Sequence, residues 1–142
     1  MNKLAAVVVL TGACAFGHHS LHATYHLDQQ VALQGKVAKF LYRNPHSFLE
    51  IDAPDAAGQI QRWAIEWNGG GILGAHGIQR DTLVAGDDVT ITMSPGREAG
   101  SHRGLLRTIR RPSDGFEWGT KPGEEPVERA WNENETRSNG TF

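Results

Sequence analysis

"QIQRWAIEW", Gln59 to Trp67, has an alternation that only an extended strand can use. Trp63, Ile65 and Trp67 share one face, and Arg62, Ala64 and Glu66 share the other. Wound into a helix, the same residues would put Ile65 opposite the two tryptophans and dissolve the apolar face. This stretch is therefore a strand with one side to bury, and the sequence around it must supply partners.

Upstream, Ser47 to Ala53 ("SFLEIDA") repeats the pattern with Leu49 and Ile51, and "PDAAG" (Pro54 to Gly58) is the turn between the two strands. Before it, Gln30 to Tyr42 ("QVALQGKVAKFLY") places Val31, Leu33, Val37 and Leu41 on one face. Gly35 interrupts that run, as expected where a strand bulges or bends. "RNPH" (Arg43 to His46) turns the chain: Pro45 fixes its own φ and drives Asn44 from the helical region.

Downstream, Asn68 to Ile78 ("NGGGILGAHGI") carries five glycines and predicts either one short, poor helix or a flexible connector over a barrel end. Leu83 and "AGDD" lead into a fourth strand at Val89 to Met93 ("VTITM"). "SPGREAGSHRG" (Ser94 to Gly104) is a long turn, and Leu105 to Arg110 ("LLRTIR") is the fifth strand. "PSDG" (Pro112 to Gly115) closes the ordered region near Trp118. Three strands, a short helix and two more strands is the order of a small OB-like Greek-key barrel in a mainly all-β domain over residues 30–118. Closure removes edges that short strands would otherwise expose. Trp63, Ile65, Leu49, Val37, Val89 and Ile91 are the expected interior.

The chain starts as a secretory signal does: Lys3, the apolar run "LAAVVVL" (Leu4 to Leu10), then Ala13 and Ala15 in a small-x-small arrangement. The run is far short of the roughly 20 residues a membrane-spanning helix needs. A leader over residues 1–15, with cleavage after Gly17 as the alternative, predicts a periplasmic or secreted protein. Cys14 is the only cysteine, so an intrachain disulfide is impossible, although "LTGAC" distantly resembles a lipoprotein signal that would leave Cys14 lipidated. Residues 16–29 form a histidine-rich arm, and the polar, proline-bearing stretch 119–142 is expected to be a disordered tail.

The 142 residues suffice for one modest domain. Fourteen Lys and Arg against sixteen Asp and Glu give a formal charge of −2, which argues against a nucleic-acid binder. The one basic stretch, Arg97 to Arg111 with its five arginines, reads as a solvated edge strand. "GGGILG" (Gly69 to Gly74) fits G-x-G-x-x-G in letters only, because no parallel βαβ unit surrounds it.

In order along the chain stand "GHHS" after the leader, "NPH" after the first strand, "RWAIE" in the third and "LVAGDDV" entering the fourth. This pattern resembles a widespread family of small exported bacterial proteins of unassigned function. The likeness runs from about His18 to Gly115, on His18, His19 and Ser20, Gly35 and Val37, Asn44 to His46, Trp63 and Glu66, and Leu83, Gly86, Asp87 and Val89. It implies the fold and export and hands over no activity. The chain departs from it in the glycine-rich stretch after the third strand and in its long tail.

The residues that carry chemistry are the histidines, four of the seven lying between Ala15 and His26. If the leader is cut after Ala15, the amine, two backbone amides and the His18 imidazole can wrap Cu(II) or Ni(II) in a square plane. If it is cut after Gly17, the amine and imidazole of His18 chelate copper, with His19, His22 or His46 completing the set. Lipidation of Cys14 would forbid both, and zinc fits less well without cysteine ligands. Against this stands the plain reading, solvated histidines on a mobile arm.

His46 is either a ligand or acid/base group near Glu66, or closes its turn onto backbone. Asn44 is expected to cap that turn, and Glu66 to face outward or into a loop cleft, with Arg62 as its plain partner. Trp63, Asn44 and Glu66 complete the candidate site. A single carboxylate makes a poor case for hydrolysis, so enzymatic chemistry has little support and no catalytic residue is assigned. Two readings follow: an accessory protein binding a small ligand or copper through its N-terminal histidines, or a metal-free periplasmic module that docks a partner protein through its loops and acidic tail.

Overall fold

The structure is a computed structural model that describes residues 21–119. The leader, Cys14, His18, His19 and the tail from residue 120 lie outside the described residues. Along the chain run α1 (Leu21–Thr24), β1 (Val31–Leu41), β2 (Ser47–Pro54), β3 (Ile60–Trp67), α2 (Gly70–Ala75), β4 (Asp88–Pro95), β5 (Arg103–Arg111) and β6 (Phe116–Gly119). Among the described residues no helix is long and apolar enough to cross a membrane.

The sheet runs β3-β2-β1-β4-β5-β6 and closes on itself where β3 pairs with β5. Five strands thus make the expected OB-like barrel, and β6 is an added sixth strand on the outer side of β5. Closure depends on β1, which pairs through Val31–Lys36 with β4 and through Lys36–Leu41 with β2. Gly35 stands at this changeover, with the β2 backbone so close that a Cβ would collide with the Asp52 carbonyl. A bulge between Val37 and Lys39 adds the bend that a small barrel requires.

Leu49, Val37, Ile65, Val89 and Ile91 are buried as the alternation predicts, whereas Trp63 is half-buried. The largest interior side chain is Trp67, which is 0% exposed. Its ring lies 5.6 Å from that of Phe40 and 5.0 Å, edge-on, from that of Trp118 on β6. The stretch Phe116–Gly119 that follows "PSDG" is thus part of the fold.

One expectation needs correcting. The basic stretch is not an edge: β5 pairs antiparallel with β4 and β6 and parallel with β3. Its arginines are held, Arg107 by Ser94 Oγ and the Leu27 carbonyl, Arg111 by Asp87 and Asp114. Of the two alternatives for the glycines after β3, the short helix is the one that forms, as α2. A Cβ at Gly70 would approach the Tyr42 ring to 2.8 Å, and one at Gly69 would collide with the Pro45 carbonyl. These glycines let α2 seat directly on the turn before β2.

Candidate functional site

The closing seam between β3 and β5 is short: Ala64, Ile65 and Glu66 face Arg103, Gly104 and Leu105. Ile65 belongs to the barrel core, while Tyr25 and Leu105 are buried outside that core cluster. Tyr25 belongs to the segment before β1, which lies against the β4–β5 loop. Tyr25 bridges Gly96, the Arg97 amide donates to the Thr24 carbonyl, and the His26 amide donates to the Pro95 carbonyl. The Arg97 and Arg107 guanidinium groups donate to the His22 and Leu27 carbonyls. The end of the histidine-rich arm is thus strapped against the β4–β5 loop by backbone bonds and two arginines.

Under this strap lies Glu66, 7% exposed. The Tyr25 hydroxyl donates to its Oε2, and His46 Nδ1 stands 2.5 Å from its Oε1. Strand alternation does put Glu66 on the face opposite Ile65, as the sequence indicates, but its partners are Tyr25 and His46. Arg62 pairs instead with Asp52 at 2.6 Å and Glu50 at 3.6 Å. Register explains the difference: Arg62 stands across from Asp52, while Glu66 is the next-to-last residue of β3, across from Phe48 and next to the turn that delivers His46.

Burial by itself would raise the Glu66 pKa, because a carboxylate loses water. The hydrogen bonds from His46 and Tyr25, and the charges of His46 and Arg103, outweigh that effect and hold it below the ordinary carboxylate value. For Tyr25, burial and the neighbouring carboxylate act in one direction, and the phenol is pushed well above its ordinary range despite Arg103. The pair is therefore an ionised carboxylate and a neutral phenol at physiological pH.

His46 reaches Glu66 because the turn before it is fixed. Ser47 Oγ donates to the Arg43 carbonyl at 3.1 Å and accepts from the Arg43 amide at 3.2 Å. Arg43 Nε donates to the His46 carbonyl at 3.3 Å. The Asn44–Pro45 peptide is cis. Asn44 does not cap its own turn; its Oδ1 accepts the Gly71 amide at 3.2 Å and ties the turn to α2. Of the alternatives for His46, a place near Glu66 is the one seen: its Nδ1 faces the carboxylate, and 42% of its side chain stays exposed.

Trp63 lies apart from this group. Its indole donates to the Ala53 carbonyl at 3.2 Å, and His102 packs edge-on against it at 4.9 Å. Of the four histidines named as ligands, His22 and His46 are described; His18 and His19 lie outside the described residues. Among the described residues no group of three or more His, Cys, Asp or Glu side chains could hold a metal ion. The sequence reading missed Tyr25 altogether. Its signal was weak but present, a large aromatic amid polar residues in a segment otherwise free to stay solvated.

No curated protein and no solved structure matches the chain. A family model described as "Family of unknown function (DUF6152)" matches residues 6–107, more than half of the sequence. The small β-barrel with its strapped N-terminal segment thus belongs to that family of unassigned activity.

Proposed function

We propose that the protein is exported to the periplasm or secreted, and that it captures a transition-metal ion, copper best of all, with the histidines at its mature N-terminus and His46. The observation that carries this reading is the Tyr25–Glu66–His46 chain, which joins the histidine-bearing arm to the one candidate ligand on the barrel. Tyr25 fixes α1, so His22 lies within one helical turn of the anchor. With cleavage after Gly17, the amine and imidazole of His18 supply two nitrogens of a copper site and His46 a third. Such nitrogen donors suit Cu(II), the most strongly bound of the common divalent ions. The described residues offer too few ligands alone, so the site needs the arm.

The test begins with the intact mass of the secreted protein, expected to correspond to a chain starting at Phe16 or, with the alternative cleavage, at His18. Cu(II) titrated into that material should bind one ion per chain. Binding should collapse in His18→Ala/His19→Ala and weaken strongly in His46→Ala. Equal affinity in all three proteins would dispose of the proposal.

A further inference from the structure

We infer that Trp63, His102, Asp55 and Gln61 form a binding site for a neutral sugar ring, at the end of the barrel remote from α2. All four are described residues outside the histidine-bearing arm, so the site stands or falls independently of metal capture. β2 and β3 run on past the closing seam as a hairpin, and Gln61 and Trp63 share a face of β3 before β5 joins it at Ala64. The β4–β5 loop returns against them. The Ala64 amide donates to the His102 carbonyl, and the His102 ring meets Trp63 edge-on, 4.9 Å between centroids and 80° between planes. Asp55 is fixed between the two strands: Oδ1 accepts the Ala57 and Gln59 amides at 2.9 Å each, and Oδ2 accepts Gln61 Nε2 at 3.2 Å. The Gln59 bond above all, helped by Gln61 and Ala57, holds the carboxyl below its ordinary value, so Asp55 is charged at neutral pH.

His102 Nε2 stands 4.0 Å from Asp55 Oδ2. That is too far for a direct hydrogen bond and the right separation for one oxygen to bond both. The bridging atom must accept from an imidazole N–H and donate to a carboxylate, and a hydroxyl does both at once. An anionic group would be repelled by Asp55, and an ammonium has no lone pair for the imidazole. Arg62, the one cation of the hairpin, is already taken by Asp52 and Glu50, so no charge is left for an acidic sugar. Trp63 supplies the second requirement. Its indole N–H is held by the Ala53 carbonyl, which fixes the ring, and its half-buried, electron-rich face suits the C–H face of a pyranose. Ring C–H groups on one side and hydroxyls at the rim are what a sugar offers and a linear polyol does not. Both polar walls stay open to solvent, with 33% of the His102 and 20% of the Asp55 side chain exposed.

The test titrates methyl β-D-glucopyranoside, methyl β-D-galactopyranoside and methyl α-D-mannopyranoside into the full chain, followed by NMR of the indole, imidazole and side-chain amide groups. At least one should bind saturably, with a Kd on the order of 1–10 mM, and move the Trp63 indole N–H, the His102 ring and the Gln61 amide together. No saturable shift at these groups with any of the three would overturn the inference. His102→Ala removes the bridge donor and leaves the backbone bond to Ala64 in place, so its urea midpoint should stay close to wild type. Its sugar affinity should fall about 10-fold, as expected for one lost hydrogen bond of this kind. Undiminished affinity would overturn the hydroxyl bridge. Asp55→Asn keeps the Oδ1 acceptor for the turn amides and should weaken the sugar to a similar extent. Glycerol has hydroxyls without a ring face and should give no saturable shift. Binding of glycerol as tight as that of the best pyranoside would overturn the part assigned to Trp63.

Discussion

Tyr25 and His46 share a carboxylate: the phenol holds Oε2 of Glu66 and the imidazole holds Oε1. Neither residue is on the strand that carries Glu66. Tyr25 follows α1 in the arm before β1, and His46 ends the turn before β2. Besides its backbone bonds and arginine contacts, the N-terminal segment is therefore tied to the barrel through an ionised group at the edge of the closing seam.

That tie sets a pH dependence. The folded pKa of Glu66 is below its ordinary value, so its ionisation contributes stability that is present above the unfolded pKa and lost as pH falls through the folded one. The facing groups are His46, Tyr25 and Arg103. Urea midpoints should hold near neutrality and fall as the solution is acidified below the ordinary carboxylate range. Glu66→Gln should flatten that part of the profile. An identical acid limb in wild type and variant would assign the loss to other carboxylates.

Tyr25→Phe deletes one hydroxyl bonded to a buried charge. Hydrogen bonds of that type contribute about 1.5–3 kcal/mol, and denaturant unfolding should show a loss in that range. The chain has two tyrosines. In wild type, the phenolate absorbance should contain one component titrating well above the ordinary tyrosine range, since burial and Glu66 both oppose ionisation of Tyr25. The variant should lack it. Here the sign is opposite to that of the carboxylate: the raised pKa preserves this stability up to strongly alkaline pH and removes it above.

How much of this could be read from the residues depends on range. Strand faces follow from nearest neighbours, so Leu49, Ile65, Val89 and Ile91 went inside where alternation puts them. The OB-like order followed from counting strands and turns. Partner choice is different. Arg62 and Glu66 share a face, but cross-strand register gives Arg62 to Asp52 and leaves Glu66 at the strand end for two groups from remote segments. Only its being a large aromatic amid polar residues marks Tyr25 locally, because its burial comes from a strap laid over a seam that exists only once β3 meets β5. β6 escaped for a similar reason, since four residues pairing with a neighbouring strand carry too little alternation to stand out.

The "LVAGDDV" stretch illustrates the converse, a motif whose meaning is structural. Asp87 Oδ2 accepts the Val84 amide at 3.0 Å and Arg111 Nη1 at 2.6 Å. Arg111 Nη1 also donates to the Thr82 carbonyl, and Arg111 pairs with Asp114 at 2.8 Å. One guanidinium, largely enclosed and lying over the Phe116 ring, thus joins the turn before β4 to the hairpin between β5 and β6. Arg111→Ala should lower stability by about 1–3 kcal/mol, since it strands hydrogen-bonded partners as well as removing a pair. Arg111→Lys should recover only part of this, because an ammonium cannot reproduce the planar fork. Full recovery by lysine would mean that charge alone matters at this site.

Gly35 gives the sharpest test of the barrel itself. At this position β1 leaves β4 for β2, and a methyl group would run into the Asp52 carbonyl and crowd the Ala53 and Ile51 side chains. Backbone cannot yield as the end of a flexible side chain does, so Gly35→Ala should force β1 and β2 apart. Overpacking of this kind costs typically about 1–3 kcal/mol. In a loosely bent sheet the same change would be neutral or helpful, because alanine restricts the unfolded chain more than glycine does. Denaturant unfolding of Gly35→Ala decides by sign. A loss of stability, with weakened amide protection along both β1 and β2, fits strands pressed together at the bend; a gain would mean that the closure drawn here is wrong at its tightest point.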